Sequence, residues 1–230
     1  MENIYIWIIF LVLNLSLVLL AFKLFGKIGL YAVISMSIIL ANIQVIKVVD
    51  MLGFTITLGN ILYGSIFLAT DMLNEFYGKK EAKKAVWIGF FVMILSAIYM
   101  QFAILFKPSA EDFIHPHLEA IFSFYPRIVF ASLVAYLISQ LYDVWFYNFL
   151  KEKTKGKLLW LRNNASTWIS QLIDTSVFCT IAFIGLFDMN IFWSIFITTY
   201  IIKLLVAALD TPFIYLAKYL FKKDVAKNKQ

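Results

Sequence analysis

Six residues occur twice in this chain with a single change: Ile-Ser-Gln-Leu-Tyr-Asp at 138–143 and Ile-Ser-Gln-Leu-Ile-Asp at 169–174. Gln and Asp three residues apart share one face of a helix. Each copy therefore presents an amide beside a carboxylate: Gln140 with Asp143, and Gln171 with Asp174. Both copies lie inside runs apolar enough to cross a bilayer. A carboxylate in hydrocarbon costs a few kcal/mol or more, which makes intramembrane Asp residues candidates for function. Writing that costly face twice points to a polar cavity walled by two helices.

Other polar residues interrupt the apolar runs. Asp71, Asn74 and Glu75 are spaced i, i+3, i+4 and form one acidic, amide-bearing helical face. Asp71 is expected to line the cavity; for Glu75 a surface pair with Lys79 is the competing reading. Gln140 and Gln171 are each about eight residues from a span end, roughly 12 Å deep from the same side. Asp143 is shallower and Asp174 close to the midplane, and hydrogen bonding between helices is the alternative role for both. Lys203 falls near the middle of the last run, with Asp210 seven residues on. A buried ammonium needs a partner. Asp174 is the first choice and Asp210 the second, and the pair could equally be structural. Arg127 follows Pro126 at a span end and either binds ligand or snorkels to the headgroups. Asn42 is the deeper of two amides, with Gln44, in the second run. His115 and His117 read as part of a solvated loop rather than a metal site. The single cysteine, Cys179, excludes a disulfide within the chain and reads as a packed thiol.

These residues need helices to position them, and composition says which kind. Of 230 residues 62% are hydrophobic and 15% charged, and the mean hydropathy is +0.84; soluble domains carry about a quarter charged residues. Seven runs approach the roughly 20 residues that a bilayer requires: 4–22, 30–49, 59–77, 85–106, 125–150, 163–184 and 191–220. Sixteen of the 20 Lys and Arg fall in alternate connections and the tail. By the positive-inside rule those segments are cytoplasmic, which puts the N-terminus outside and the C-terminus inside. The expectation is an all-α, polytopic membrane bundle of seven transmembrane helices in one integral domain. Residues 1–28 carry an extra N-terminal span, 29–221 a six-helix unit and 222–230 a basic cytoplasmic tail.

Basic connections explain the pI near 9.2 without nucleic acid. The first run follows no Lys or Arg in residues 1–5 and lacks an Ala-x-Ala site after it, so it reads as a retained span. No P-loop, His-Glu-x-x-His or Gly-x-Ser-x-Gly pattern occurs, which removes the signatures of ATP hydrolysis and of common membrane hydrolases. An apolar bundle enclosing carboxylates, amides and a lysine suits a small polar solute that both donates and accepts hydrogen bonds.

At these residues the chain resembles the queuosine-precursor transporter family, relatives of vitamin-uptake membrane proteins. The resemblance covers roughly residues 29–221. Its most specific piece is Thr70-Asp71-x-x-Asn74-Glu75-Phe-Tyr-Gly78-Lys79-Lys80. Arg127 with Gln140-x-x-Asp143, Ala165-Ser166-Thr167 before Gln171-x-x-Asp174, and Lys203 support it. The family is similar in plan to the six-helix substrate-binding subunits of energy-coupling-factor transporters. No clear Ala-x-x-x-Ala docking pattern follows the extra span here.

The resemblance implies a transporter in the cytoplasmic or inner membrane that imports a 7-deazaguanine: a 7-cyano or 7-aminomethyl precursor of this tRNA modification, or queuine. The substrate-binding candidates are Asn42, Asp71, Asn74, Glu75, Arg127, Gln140, Asp143, Gln171, Asp174 and Lys203. A guanine-like edge offers N1–H and an amine to a carboxylate, and O6 to an amide. Its flat ring can stack on aromatics, worth about 1–3 kcal/mol per base in nucleic-acid sites. The alternatives are a solute-binding subunit served by a separate energy-coupling module, and an intramembrane lipid-modifying enzyme. The expected partners are the small solute and the bilayer, with no nucleic acid, cofactor or metal; a homo-oligomer is compatible with the chain.

Overall fold

The computed structural model describes residues 3–154 and 159–227. Its first element, α1 (Asn3–Gln44), has 42 residues, which at 1.5 Å each would reach about 63 Å, twice the hydrocarbon core. Gly26 prevents that. It adopts φ 56° and ψ −134°, a conformation open to glycine because it lacks a Cβ. The chain reverses there. A Cβ on Gly29 would lie 2.3 Å from the carbonyl oxygen of Ala21, whereas eight residues of straight helix would hold them about 12 Å apart. So α1 consists of two arms packed against each other.

Strands β1 (Val48–Met51) and β2 (Phe54–Thr57) follow, antiparallel with Val48 opposite Thr57 and Met51 opposite Phe54. Leu52 at φ 53° and Gly53 at φ 80° make the two-residue turn, the doubly positive φ that tight hairpins prefer. The second apolar run was expected to continue as helix to residue 49. It stops at Gln44 because Val48, Val49, Thr55, Ile56 and Thr57 are β-branched, stiff at χ1 and suited to strands.

Helices α2 (Asn60–Tyr77) and α3 (Lys79–Leu105) are separated by Gly78 alone, at φ 89°. The short α4 (His115–Phe122) contains both histidines. Then come α5 (Tyr125–Lys153), α6 (Leu159–Phe183) and α7 (Met189–Lys227), the last with Pro212 inside it. The described residues are all-α apart from the hairpin.

Three apolar clusters hold these elements together. Leu15, Leu30, Leu68, Met72 and Val206 join both arms of α1 to α2 and α7. Gly64 permits that approach, since a Cβ there would lie 2.7 Å from Val206 Cγ1. Ile128, Ala131, Ala135, Cys179, Ala182 and Ile195 join α5, α6 and the start of α7. Their small side chains let helices pack closely, as in membrane bundles. Met93, Phe122, Tyr125 and Val129 tie α3 and α4 to α5.

Phe25, Trp87, Phe91, Phe102, Leu105 and Tyr219 point outward and are exposed, while Asn42, Ser65, Thr199 and Lys203 are buried. That inversion suits a lipid solvent. Among the described residues four helical stretches are long and apolar enough to cross a membrane: Asn3–Gln44, Lys80–Leu105, His115–Ser139 and Met189–Val206. Trp168–Phe183 is a shorter apolar stretch.

Candidate functional site

Where the three clusters meet, the helices leave a cavity of about 120 Å³, roughly ten times the room that one water needs. Its wall is drawn from α1, α2, α3, α5, α6 and α7, and is mostly apolar. Phe67, Phe90, Tyr63, Tyr136 and Phe178 supply flat rings. Phe90 and Tyr136 meet edge to face across α3 and α5, centroids 4.7 Å apart. From Tyr63 to Thr70 the cavity follows α2 for about 10 Å.

Asp174 and Lys203 bring the charge. The Lys203 ammonium donates to Asp174 Oδ2 and lies 5.5 Å from the ring centroid of Tyr63. Lys203 is 5% exposed and Asp174 20%, so this pair is largely withdrawn from solvent. Ser139 adds a long contact of 3.4 Å to Asp174 Oδ1 while also donating to the Tyr136 carbonyl at 3.1 Å. Of the two partners expected for the lysine, the structure gives Asp174. The Asp210 side chain lies outside the described residues.

The amides divide into satisfied and unsatisfied. Asn42 donates to the Ile38 carbonyl at 2.7 Å and to Met93 Sδ at 3.3 Å, and its oxygen accepts from Ser132 at 2.7 Å. Asn60, which the sequence did not single out, faces Thr57 Oγ1 at 3.3 Å and Thr199 Oγ1 at 3.4 Å. Gln171 is different. Its side-chain oxygen is buried on the cavity wall and has no hydrogen-bond partner among the described residues. A buried acceptor left open costs about 1–3 kcal/mol, so native structures rarely keep one without a reason.

Other candidates stand elsewhere. Asp71, Asn74 and Glu75 are exposed on α2 and do not line the cavity. Glu75 pairs with Lys218 of α7 at 2.6 Å; the Lys79 side chain lies outside the described residues. Asn74 follows Phe67 by seven residues and Thr70 by four, so it continues the cavity-lining stripe of α2 one turn further along. Arg127 sends Nε to the Ile181 carbonyl at 2.7 Å and an Nη to the Ile184 carbonyl at 2.6 Å. It caps the C-terminal end of α6, where four carbonyls lack helical partners and a cation is favoured. The side chains of Gln140, Asp143 and of Ala165, Ser166 and Thr167 lie outside the described residues. Four of the ten candidates, Asn42, Gln171, Asp174 and Lys203, thus share one cavity.

Sequence reasoning missed Tyr63, Asn60, Ser132, Ser139 and Thr199 on that wall. Asn60 carried a signal, as an amide at the start of an apolar run. The hydroxyls carried none, because Ser and Thr within membrane helices commonly bond their own backbone.

The hairpin closes one end of this arrangement. Thr55 N–H donates to Ser194 Oγ at 3.0 Å, and Thr198 Oγ1 donates to the Thr55 carbonyl at 3.4 Å. Asn3 Nδ2 donates to the Asp50 carbonyl at 2.8 Å. The start of α1, the hairpin and α7 are thereby tied together next to Asn60 and Thr199.

Comparisons with known proteins agree with this architecture. Residues 57–217 match the family described as "Putative vitamin uptake transporter". A "Probable queuosine precursor transporter" of Bacillus subtilis strain 168 is 44% identical over 219 residues, covering 95% of this chain and 96% of the relative. The "Queuosine precursor transporter" of Escherichia coli K12 is 33% identical over 137 residues, 59% of this chain and 58% of that protein. A "Probable queuosine precursor transporter" of Haemophilus influenzae is 31% identical over 135 residues, 57% and 53% of the two chains. No solved structure matches. With outward apolar helices, a cavity that holds a buried ion pair and a family match across most of its length, the chain is a multi-pass membrane protein that belongs to the putative vitamin uptake transporter family, alongside these queuosine precursor transporters.

Proposed function

We propose that this chain imports queuosine precursors, 7-deazaguanine bases, across the cytoplasmic membrane and releases them unchanged. The observation that carries the reading is the Gln171 oxygen, buried on the wall of a ring-lined cavity and unpartnered among the described residues. A planar base with N–H donors along one edge satisfies that oxygen, and its faces are met by Phe67, Phe90 and Tyr136. Asn42 retains an acceptor lone pair after taking the Ser132 hydroxyl. Asp174 and Lys203 hold the α6 and α7 walls in register.

In this reading the bundle crosses the membrane seven times, N-terminus outside and C-terminus inside. Three things support it: the asymmetry of Lys and Arg, the two arms of α1, and the contact of Asn3 with the Asp50 carbonyl. The hairpin then seals the outer end, and Asp71 and Asn74, on the continuation of the cavity stripe, flank the cytoplasmic mouth.

Uptake of a labelled 7-deazaguanine into cells unable to make precursors tests the proposal. Expression of the chain alone should confer uptake. Uptake only with an added energy-coupling module would make it a solute-binding subunit instead, and chemical change of the solute by purified protein would make it an enzyme.

A further inference from the structure

The end of the bundle where α1 turns at Gly26 holds a side-chain cluster outside the cavity. Lys27 Nζ lies 3.1 Å from Glu81 Oε2, and the Tyr31 hydroxyl donates to the same oxygen. The Lys27 ammonium also stands 5.7 Å from the centroid of the Tyr77 ring. One lysine therefore meets the last residue of α2 and the first turn of α3, on either side of Gly78. Phe22 grips the same elbow, stacked on Phe76 at 5.2 Å and edge-on to Tyr77 at 6.3 Å.

The cluster continues a wall of the cavity. Lys27, Tyr31, Ile34 and Ile38 are spaced i, i+4, i+7, i+11 and share one face of α1; Ile34 and Ile38 line the cavity. That face meets α3 closely, since a Cβ on Gly89 would lie 3.2 Å from Ile38 Cδ1. The elbow itself is one residue long. Gly78 has φ 89°, and a Cβ there would meet nothing within 4 Å, so backbone conformation and not space calls for glycine. The ion pair is partly exposed, 41% for Lys27 and 22% for Glu81, and such pairs are individually weak. A weak clasp over a one-residue hinge releases without unfolding either helix.

We propose that Lys27, Tyr31 and Glu81 form a latch that holds the cavity closed at this end. Its release, by bending at Gly78, swings α3 away from α1 and opens the cavity to water and solute.

The test places a cysteine at Thr70, the cavity residue of α2 nearest the elbow, after Cys179→Ala removes the chain's single cysteine. Thr70→Cys is labelled with a charged, water-soluble maleimide on the full chain in lipid nanodiscs. The labelling rate then follows the population of the open form. Lys27→Met should raise it about fivefold, the upper value of a pair this exposed. Glu81→Gln should raise it at least as much, because it weakens both bonds. Charge reversal, Lys27→Glu with Glu81→Lys, should return the rate to the parent value. Thermal unfolding checks that each variant is folded, and either single variant decides where the other is not. Unchanged labelling in the folded single variants overturns the proposal and leaves the cluster a brace between helices. Faster labelling that charge reversal does not slow overturns it too. No solute takes part, so this outcome stands apart from the uptake experiment that tests deazaguanine import.

Discussion

Lys203 of α7 closes on Asp174 of α6 at the cavity wall, with 5% of the lysine side chain left exposed. Neither charge has enough water to stand alone. Asp174→Asn or Lys203→Met should each destabilise the protein by about 3–5 kcal/mol, because each strands the other charge. The double variant should lose less than the sum of the two. Thermal unfolding of all four proteins gives the coupling in a double-mutant cycle; strict additivity would mean that the two residues do not depend on each other.

Gln171→Leu should separate stability from binding. The substitution removes a buried oxygen that has no partner, so the unfolding temperature should stay level or rise, a gain of up to about 1–3 kcal/mol. Deazaguanine affinity should fall. A variant that is destabilised yet binds normally would make Gln171 a packing residue.

The cavity should prefer a guanine edge to an adenine edge. Gln171 and Asn42 offer acceptor oxygens, whereas the lysine is committed to Asp174. Sites built around such bonds reject analogues that lack the matching donors, since their own polar groups then stay unpaired. Adenine competing as well as 7-cyano-7-deazaguanine would remove this expectation.

Arg127→Met should cost stability rather than affinity. Its two bonds to the Ile181 and Ile184 carbonyls are charge-assisted, and each bond of that kind is worth about 1.5–3 kcal/mol. Unchanged unfolding with abolished binding would return Arg127 to the list of ligand-contacting residues.

A reporter that fluoresces only in the cytoplasm, fused at residue 1, should stay dark while the same reporter at the C-terminus is bright. Fluorescence at both ends would contradict an odd number of crossings.

Much of this arrangement could be read from residue types alone, and the reasons are specific. Asn42, Gln171, Asp174 and Lys203 stood out because a polar group in an apolar run is expensive and needs a cause. The Asp174–Lys203 pairing was legible from depth, as each was placed near the midplane. Arg127 was harder: a cation at a span end looks the same whether it snorkels, binds solute or caps a neighbouring helix, and only the position of Ile181 and Ile184 decides. Tyr63, Phe90 and Tyr136 were hidden by abundance, since aromatics make up 18% of the chain and nothing in their spacing marks the ones that meet. The Val48–Thr57 hairpin was masked too, because apolar β-branched residues extend a hydrophobic run without breaking it. Asp71 and Asn74 show the limit of face arguments. Spacing puts Asn74 on the cavity stripe of α2, but it does not say where along that stripe the cavity ends.

The single-residue reversal at Gly26 has a consequence for how the chain is made. The two arms of α1 meet within residues 3–44, so they can pair as soon as both have left the ribosome, before α2 to α7 are made. Contacts this local close quickly and need little loop entropy. The tip carries Lys23 and Lys27, and in the proposed topology these charges resist crossing and keep the turn on the side of synthesis. Leu15 and Leu30, one from each arm, share a buried cluster with Leu68 and Met72 of α2, so the paired arms offer α2 an apolar surface on which to pack.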